Sequence, residues 1–163
     1  MTPIISFVGY SNSGKTTFLV KVIGELKKRG YRIGVIKHDG HDFEIDHPDT
    51  DTWKHRQAGA DVVCIASARQ IAVMQTLIKP PQLDDMIPLV GNVDFILTEG
   101  FKQEQKPQIE VNWQGRSCLG KKQNTIALVS EVMRYEGVPH FGLDDAEGVA
   151  DFLEGMLSSE GRR

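Results

Sequence analysis

The sequence predicts an α/β fold, a mostly parallel sheet flanked by helices with an inserted β-hairpin, and three observations predict it. Short apolar runs of β-formers alternate with stretches of helical periodicity along the 163 residues, the order that builds parallel sheets from βαβ units. The first apolar run leads straight into Gly9-Tyr10-Ser11-Asn12-Ser13-Gly14-Lys15-Thr16, a full match to G-x-x-x-x-G-K-[ST]. A later apolar run, Asp94-Phe95-Ile96-Leu97-Thr98, ends on Glu99-Gly100, an acid at a strand end as a phosphate loop requires. Together they place the chain among the P-loop NTPases.

The elements follow in order. Ile4–Val8 is a short buried strand. Thr16–Arg29 carries Leu19, Val22, Ile23 and Leu26 at helical spacing, and Gly30 stops it. Tyr31–Lys37 is a second strand. Asp39–Asp51 is polar and reads as a long loop, of a length that is commonly functional or disordered. Thr52–Ala58 is a short helix closed by Gly59. Asp61–Ala66 and Gln70–Leu77, around Ser67-Ala68-Arg69, form a hairpin over 61–77. Lys79-Pro80-Pro81 breaks the chain before a short helix over Leu83–Val90. Val93–Leu97, Ile109–Trp113 and Thr125–Val129 are further strands. Asp145–Leu157 is the last helix, with Val149, Phe152, Leu153, Met156 and Leu157 on one stripe, and Ser158–Arg163 is a frayed tail. With no repeat or linker, residues 1–163 read as one nucleotide-binding domain.

Composition excludes several classes. A net charge of -3 offers no general basic surface to track a phosphodiester backbone, which argues against nucleic acid as the main partner. Two cysteines, Cys64 and Cys118, make no disulfide framework and no Cys-x-x-Cys, which fits a reducing compartment. Ile4–Val8 is too short for the apolar core of a signal peptide, and nothing approaches the ~20 apolar residues of a membrane span. A cytoplasmic protein with no membrane partner is the expectation.

The loop residues explain themselves chemically. Gly9 and Gly14 let backbone wrap phosphate without Cβ clashes. Successive N–H groups of Ser11, Asn12 and Ser13 and the following helix N-terminus then face the anion. Lys15 is placed to reach the β- and γ-phosphates, and the Thr16 hydroxyl to bind Mg²⁺. Glu99 is the acid expected to hold the same Mg²⁺, directly or through water. Asp39, Asp42, Glu44, Asp46, Asp49 and Asp51 crowd the loop after the second strand. Asp39 and Asp46 are the candidates from this loop for Mg²⁺ coordination or activation of the attacking water. His38, His41, His47 and His55 raise a zinc or nickel site as an alternative use of this stretch. Lys37 and Lys102 are candidates to neutralise phosphate or a second anionic ligand. No Asn-Lys-x-Asp is present to read guanine, so the residue types leave ATP and GTP both open.

Several of these segments also occur together in a known family. Gly9–Thr17, Ile36-Lys37-His38, Asp46-His47-Pro48 with Asp51, Arg56-Gln57-Ala58-Gly59-Ala60, Leu97-Thr98-Glu99-Gly100-Phe101-Lys102 and Ile126-Ala127-Leu128-Val129-Ser130-Glu131 fall in one order along the chain. In that order the sequence resembles the MobB family, accessory proteins of molybdopterin-guanine dinucleotide biosynthesis, over nearly its whole length. The resemblance implies GTP binding with Mg²⁺, weak GTPase activity and a homodimer. It implies work beside molybdopterin and the guanylyltransferase that joins GMP to it. It also implies that Gly14, Lys15, Thr16 and Thr17 hold phosphates and Mg²⁺, with Glu99 as the acid. The family commonly has Ser-Asp where this chain has Ser130-Glu131. Glu131, following a strand, is the candidate base reader, since a carboxylate can accept from guanine N1–H and N2–H₂. Two alternatives stay open beside this reading. One is a small-molecule kinase, against which stands the lack of an Arg-rich lid, Arg69 and Arg116 being isolated. The other is a metal-delivery NTPase, suggested by the histidines.

Overall fold

Ile4–Val8 forms β1, and every residue after Ile4 in it is buried, as expected of a central strand in a sheet covered on both faces. The computed structural model describes residues 2–113, 118–132 and 134–160. Lys15–Lys28 is α1, with Phe18, Leu19, Val22 and Leu26 buried at helical spacing. It ends where the N–H groups of Gly30 and Tyr31 donate to the carbonyls of Lys27 and Leu26 at 3.1 and 3.2 Å. Those reversed bonds close the helix in a Schellman-type turn. Ile33–Lys37 is β2, Phe95–Glu99 is β5, Gln108–Asn112 is β6, Thr125–Ser130 is β7 and His140–Phe141 is β8. They and β1 make a six-stranded sheet in the order β2-β5-β1-β6-β7-β8, with every pairing parallel. Ala146–Glu160 is α4.

Side-chain alternation divides the sheet into two unlike faces. Ile5, Phe7, Phe95, Leu97, Ile109, Val111, Ala127 and Val129 pack with α1 and α4 into the main core. On the other face Ile36 and Ile96 pack on Leu83, with Met86, Ile87 and Val90 around them. Those residues come from α3, Leu83–Met86, and a 3-10 turn, Ile87–Val90. The predicted single helix over 83–90 divides because Pro88 has no N–H to continue an α-helical ladder. Further across this face lie Ser6, Thr98, Gln108, Glu110, Asn112 and Ser130, all at most 2% exposed.

Residues 39–82 form a second compact unit, separate from 1–38 with 83–163. It holds α2, Asp51–Gln57, whose N-cap Thr50 accepts from the Trp53 N–H at 3.2 Å. It also holds the predicted hairpin as β3, Val62–Ala66, and β4, Ile71–Gln75, paired antiparallel as an independent two-stranded sheet. The inserted hairpin is therefore present but does not extend the main sheet. Most predicted boundaries moved by a residue or two, β2 for instance beginning at Ile33 rather than Tyr31, and two of the shifts have a visible partner. β5 begins at Phe95 rather than Val93, and the Asp94 carboxylate just before it accepts the Arg32 N–H at 2.6 Å. Asp145 caps α4 instead of opening it, accepting from the Gly148 N–H at 2.9 Å. β8 was not foreseen, because two residues carry no periodicity. The predicted frayed tail is helical to Glu160, and 161–163 lie outside the described residues.

Leu153 of α4 is fully buried in the main core. Leu153→Ala should therefore lower unfolding stability by about 2–5 kcal/mol, read by urea titration with circular dichroism. A loss well under about 1 kcal/mol would contradict its core position.

Candidate functional site

The loop after β1 is shaped by steric necessity. Gly9 has φ 151°, and a Cβ there would lie 2.5 Å from the Val111 carbonyl oxygen and 2.6 Å from Ser13 Oγ. Only glycine fits. Asn12 is left-handed at φ 59°, and the Ser13 N–H donates to the Tyr10 carbonyl at 3.2 Å. Gly14, the N-cap of α1, has no side chain with which to satisfy the first-turn N–H groups. Those donors and the helix dipole are left to a bound anion. Ser13 Oγ is buried in the same loop and has no hydrogen-bond partner. An orphaned buried hydroxyl is costly unless a ligand engages it, so the loop fits a polyphosphate.

Charged side chains converge here from three strands. Lys15 Nζ donates to the Tyr10 carbonyl at 2.7 Å. Partial burial pushes the Lys15 ammonium below the usual lysine range; Glu99 opposes that shift, and Lys102 and Lys37 reinforce it. Thr16 Oγ1 donates to Glu99 Oε1 at 2.6 Å. Glu99 reaches it because β5 lies beside β1 with Phe7 opposite Glu99 and the Gly100 N–H donates to the Phe7 carbonyl at 3.2 Å. On its other side Glu99 pairs in register with Lys37. A hydroxyl and a carboxylate are hard oxygen ligands of the kind Mg²⁺ takes alongside substrate phosphates. Thr16 and Glu99 would hold that ion.

The turn after Glu99 is equally constrained. Gly100 and Phe101 are both left-handed, at φ 99° and 53°, and a Cβ on Gly100 would lie 3.2 Å from His38 Cβ. The turn lays the Phe101 ring edge-on to His38, centroids 5.2 Å apart. It leaves Lys102 Nζ 5.5 Å from the centre of the Tyr10 ring, within cation–π range.

Comparison with known proteins agrees with this geometry. Residues 4–131 match the sequence profile of MobB, described as molybdopterin guanine dinucleotide synthesis protein B. The chain belongs to the MobB family. It is 34% identical over 161 residues to the molybdopterin-guanine dinucleotide biosynthesis adapter protein of Escherichia coli K12, covering 94% of this chain and 92% of that one. It is 31% identical over 170 residues to the probable adapter protein of Bacillus subtilis, covering 97% and 95%. The crystal structure of Bacillus subtilis MobB superposes with a TM-score of 0.76 at 28% identity, over 93% of this chain and 96% of that one.

Against the MobB-family expectations the structure sorts the candidates. Gly9, Ser13, Gly14, Lys15 and Thr16 gather with Glu99, Lys37 and Lys102, while Ser11, Asn12 and Thr17 stand exposed on the same loop and first helical turn. Glu131 follows β7 as expected, but its Oε1 already accepts the Leu143 N–H at 2.7 Å. Asp39 and Asp46 fall in the 39–82 unit. Asp39 Oδ1 accepts the His41 N–H at 3.3 Å. Asp46 Oδ1 accepts from Thr50 Oγ1 at 2.8 Å, Thr52 Oγ1 at 3.1 Å and the His47 N–H at 3.1 Å. The Thr50 hydroxyl is the largest cause holding the Asp46 carboxyl below its ordinary range. These are the bonds of an acid that organises the start of α2. Among the described residues no group of three or more His, Cys, Asp or Glu is placed to hold a metal ion, and no helix is long and apolar enough to cross a membrane. Arg116 lies outside the described residues.

Two features escaped the sequence reading. Tyr10 sits in a free position of the motif, so nothing marked it as the residue holding Lys15 and meeting Lys102. Trp113 packs its Cβ 3.4 Å from where a Cβ on Gly14 would stand; its place at the C-terminal end of a predicted strand was the available signal.

Glu99→Gln keeps the shape but loses the charge that Mg²⁺ prefers. Nucleotide titration calorimetry should show affinity falling about tenfold with Mg²⁺ and changing little in EDTA. Equal losses in both conditions would remove Glu99 from the metal shell.

Proposed function

We propose that this chain is a GTP-binding adapter in molybdopterin-guanine dinucleotide formation, with Mg²⁺ as its metal and weak GTPase activity. The observation that carries the reading is the Thr16–Glu99 pair at the phosphate loop of a MobB-family chain. A hydroxyl and a carboxylate are juxtaposed there beside Lys15, the constellation that phosphate and Mg²⁺ need together. The relatives carry the adapter name over nearly their full lengths, and this supports a cytoplasmic role beside molybdopterin and the guanylyltransferase. Glu131 is the proposed base reader: one oxygen is engaged by Leu143, and a carboxylate has a second to accept from guanine.

The same reading includes a homodimer through the 61–77 hairpin. Val62, Cys64, Ile71 and Val73 share one face of the β3–β4 ribbon by register. Val62, Ile71 and Val73 are 52, 74 and 61% exposed, and Leu77 beyond the strand is 49% exposed. An apolar ribbon face of this kind is commonly covered by a partner.

Competition binding should rank GTP above ATP in the presence of Mg²⁺. Equal affinities would defeat the guanine assignment, and a reconstituted cofactor synthesis showing neither contact with the guanylyltransferase nor stimulation would defeat the adapter role. Light scattering should give a dimer at micromolar concentration, and Val73→Asp should shift it to monomer. A wild-type monomer under those conditions would refute the hairpin interface.

A further inference from the structure

Lys102 is built into the molecule more firmly than a surface lysine. Its carbonyl accepts from Lys122 Nζ at 2.7 Å and from Gln108 Nε2 at 3.4 Å. The following residues are clamped likewise. The Glu104 carbonyl accepts from Gln108 Nε2 at 3.0 Å and Asn124 Nδ2 at 3.1 Å, and the Lys106 carbonyl accepts from Asn124 Nδ2 at 2.8 Å. Residues 100–107 are the whole connection between the parallel strands β5 and β6, which flank β1. Such a crossover normally takes a dozen residues or more and a helix. Here side chains of β6 and of the turn before β7 hold a short strap instead. The strap starts at the Gly100-Phe101 left-handed pair and so delivers Lys102 to the edge of the phosphate loop.

What the side chain finds there is incomplete. Its ammonium sits against the Tyr10 ring, a weaker partner for a cation than a charged oxygen. Among the described residues neither Lys102 nor Lys37 forms an ion pair, although four other lysines and arginines do. Lys102 is partly buried, and a lysine held in place without a carboxylate partner is open to an anion. Among the described residues the charged groups acting on Lys15 are one acid, Glu99, and two further lysines, Lys102 and Lys37, so cations outnumber acids there. Lys15 and the loop N–H groups suffice for the inner phosphates, as in any loop of this pattern. Of the extra cations, Lys37 stands in register with Glu99 on the strand away from β1, and the Lys102 ammonium lies against the Tyr10 ring.

We propose that Lys102 is the terminal-phosphate contact of this site, exchanging the Tyr10 ring for the γ-phosphate oxygens of a bound nucleoside triphosphate and thereby making the loop distinguish triphosphate from diphosphate. The assignment rests on the nucleotide reading of the loop. Lys122 is then a positioning residue, holding the Lys102 backbone from which the ammonium reaches.

Isothermal titration with Mg²⁺ and GTP, GDP, tripolyphosphate or pyrophosphate tests it, on wild type, Lys102→Met, Lys102→Arg and Lys122→Met, each checked for folding by thermal melting. Lys102→Met should lower GTP and tripolyphosphate affinity about tenfold or more while GDP and pyrophosphate change less than about twofold. Lys102→Arg should retain most of the difference, and Lys122→Met should erode it without touching diphosphate binding. Equal losses for tri- and diphosphate, no loss for either, or a wild type that binds both alike would overturn the role of Lys102 while leaving the nucleotide reading in place. A wild type that binds none of the four ligands would overturn both.

Discussion

Everything at the site depends on the parallel register between β1 and β5. Phe7 stands opposite Glu99; β5 ends there and turns at Gly100, while β1 runs one residue further to Val8 before the turn at Gly9. Because side chains alternate faces, a slip of one residue would turn Glu99 away from Thr16 and bring Thr98 in its place. The register is held by core burial on both strands: Phe7, Phe95 and Leu97 are all fully buried on the same face. The same pairing carries the Gly100 N–H to the Phe7 carbonyl and the His38 N–H to the Glu99 carbonyl, at 3.2 and 2.9 Å. Three strand ends are thus stitched together around one carboxylate, and the site inherits the rigidity of the sheet centre.

The cost of this arrangement appears on the other face. A strap in place of a helix cannot cover β1, β6 and β7 with apolar side chains, and the strands there present polar residues instead. Each described bond satisfies one of them. Thr98 Oγ1 donates to Ser6 Oγ at 2.8 Å. Glu110 accepts from the Leu119 N–H and from the Tyr135 hydroxyl, both at 2.7 Å. Burial and the Glu110 carboxylate push the Tyr135 hydroxyl far above its ordinary range, so it remains a donor. Burial also raises the Cys118 thiol, which accepts from Asn112 Nδ2 at 2.9 Å, and a raised thiol is a poor nucleophile. Buried networks of this kind stabilise only when every member is satisfied.

The elements visible in the sequence were those with a local physical signature. α1 and α4 declared themselves by period, β1 by a run of β-formers, and the phosphate loop by a pattern whose every fixed position has a steric or electrostatic reason. Glu99 was legible because a phosphate loop calls for an acid at the end of another strand. What stayed hidden depends on residues distant in the chain. Nothing local says that Lys122 and Asn124 hold carbonyls near residue 104, or that Asp46 spends its oxygen on Thr50 and Thr52. The burial of both faces of β6 was likewise invisible, since Gln108, Glu110 and Asn112 alternating with Ile109 and Val111 is equally the pattern of a strand with one face in water. All five are buried.

The bonds of Lys15 to Tyr10 and of Thr16 to Glu99 carry a consequence for the loop as a physical object. Both side chains are satisfied within the protein, so a ligand exchanges partners with them instead of filling a void. Measured affinities will then report differences between two sets of bonds and understate the strength of either.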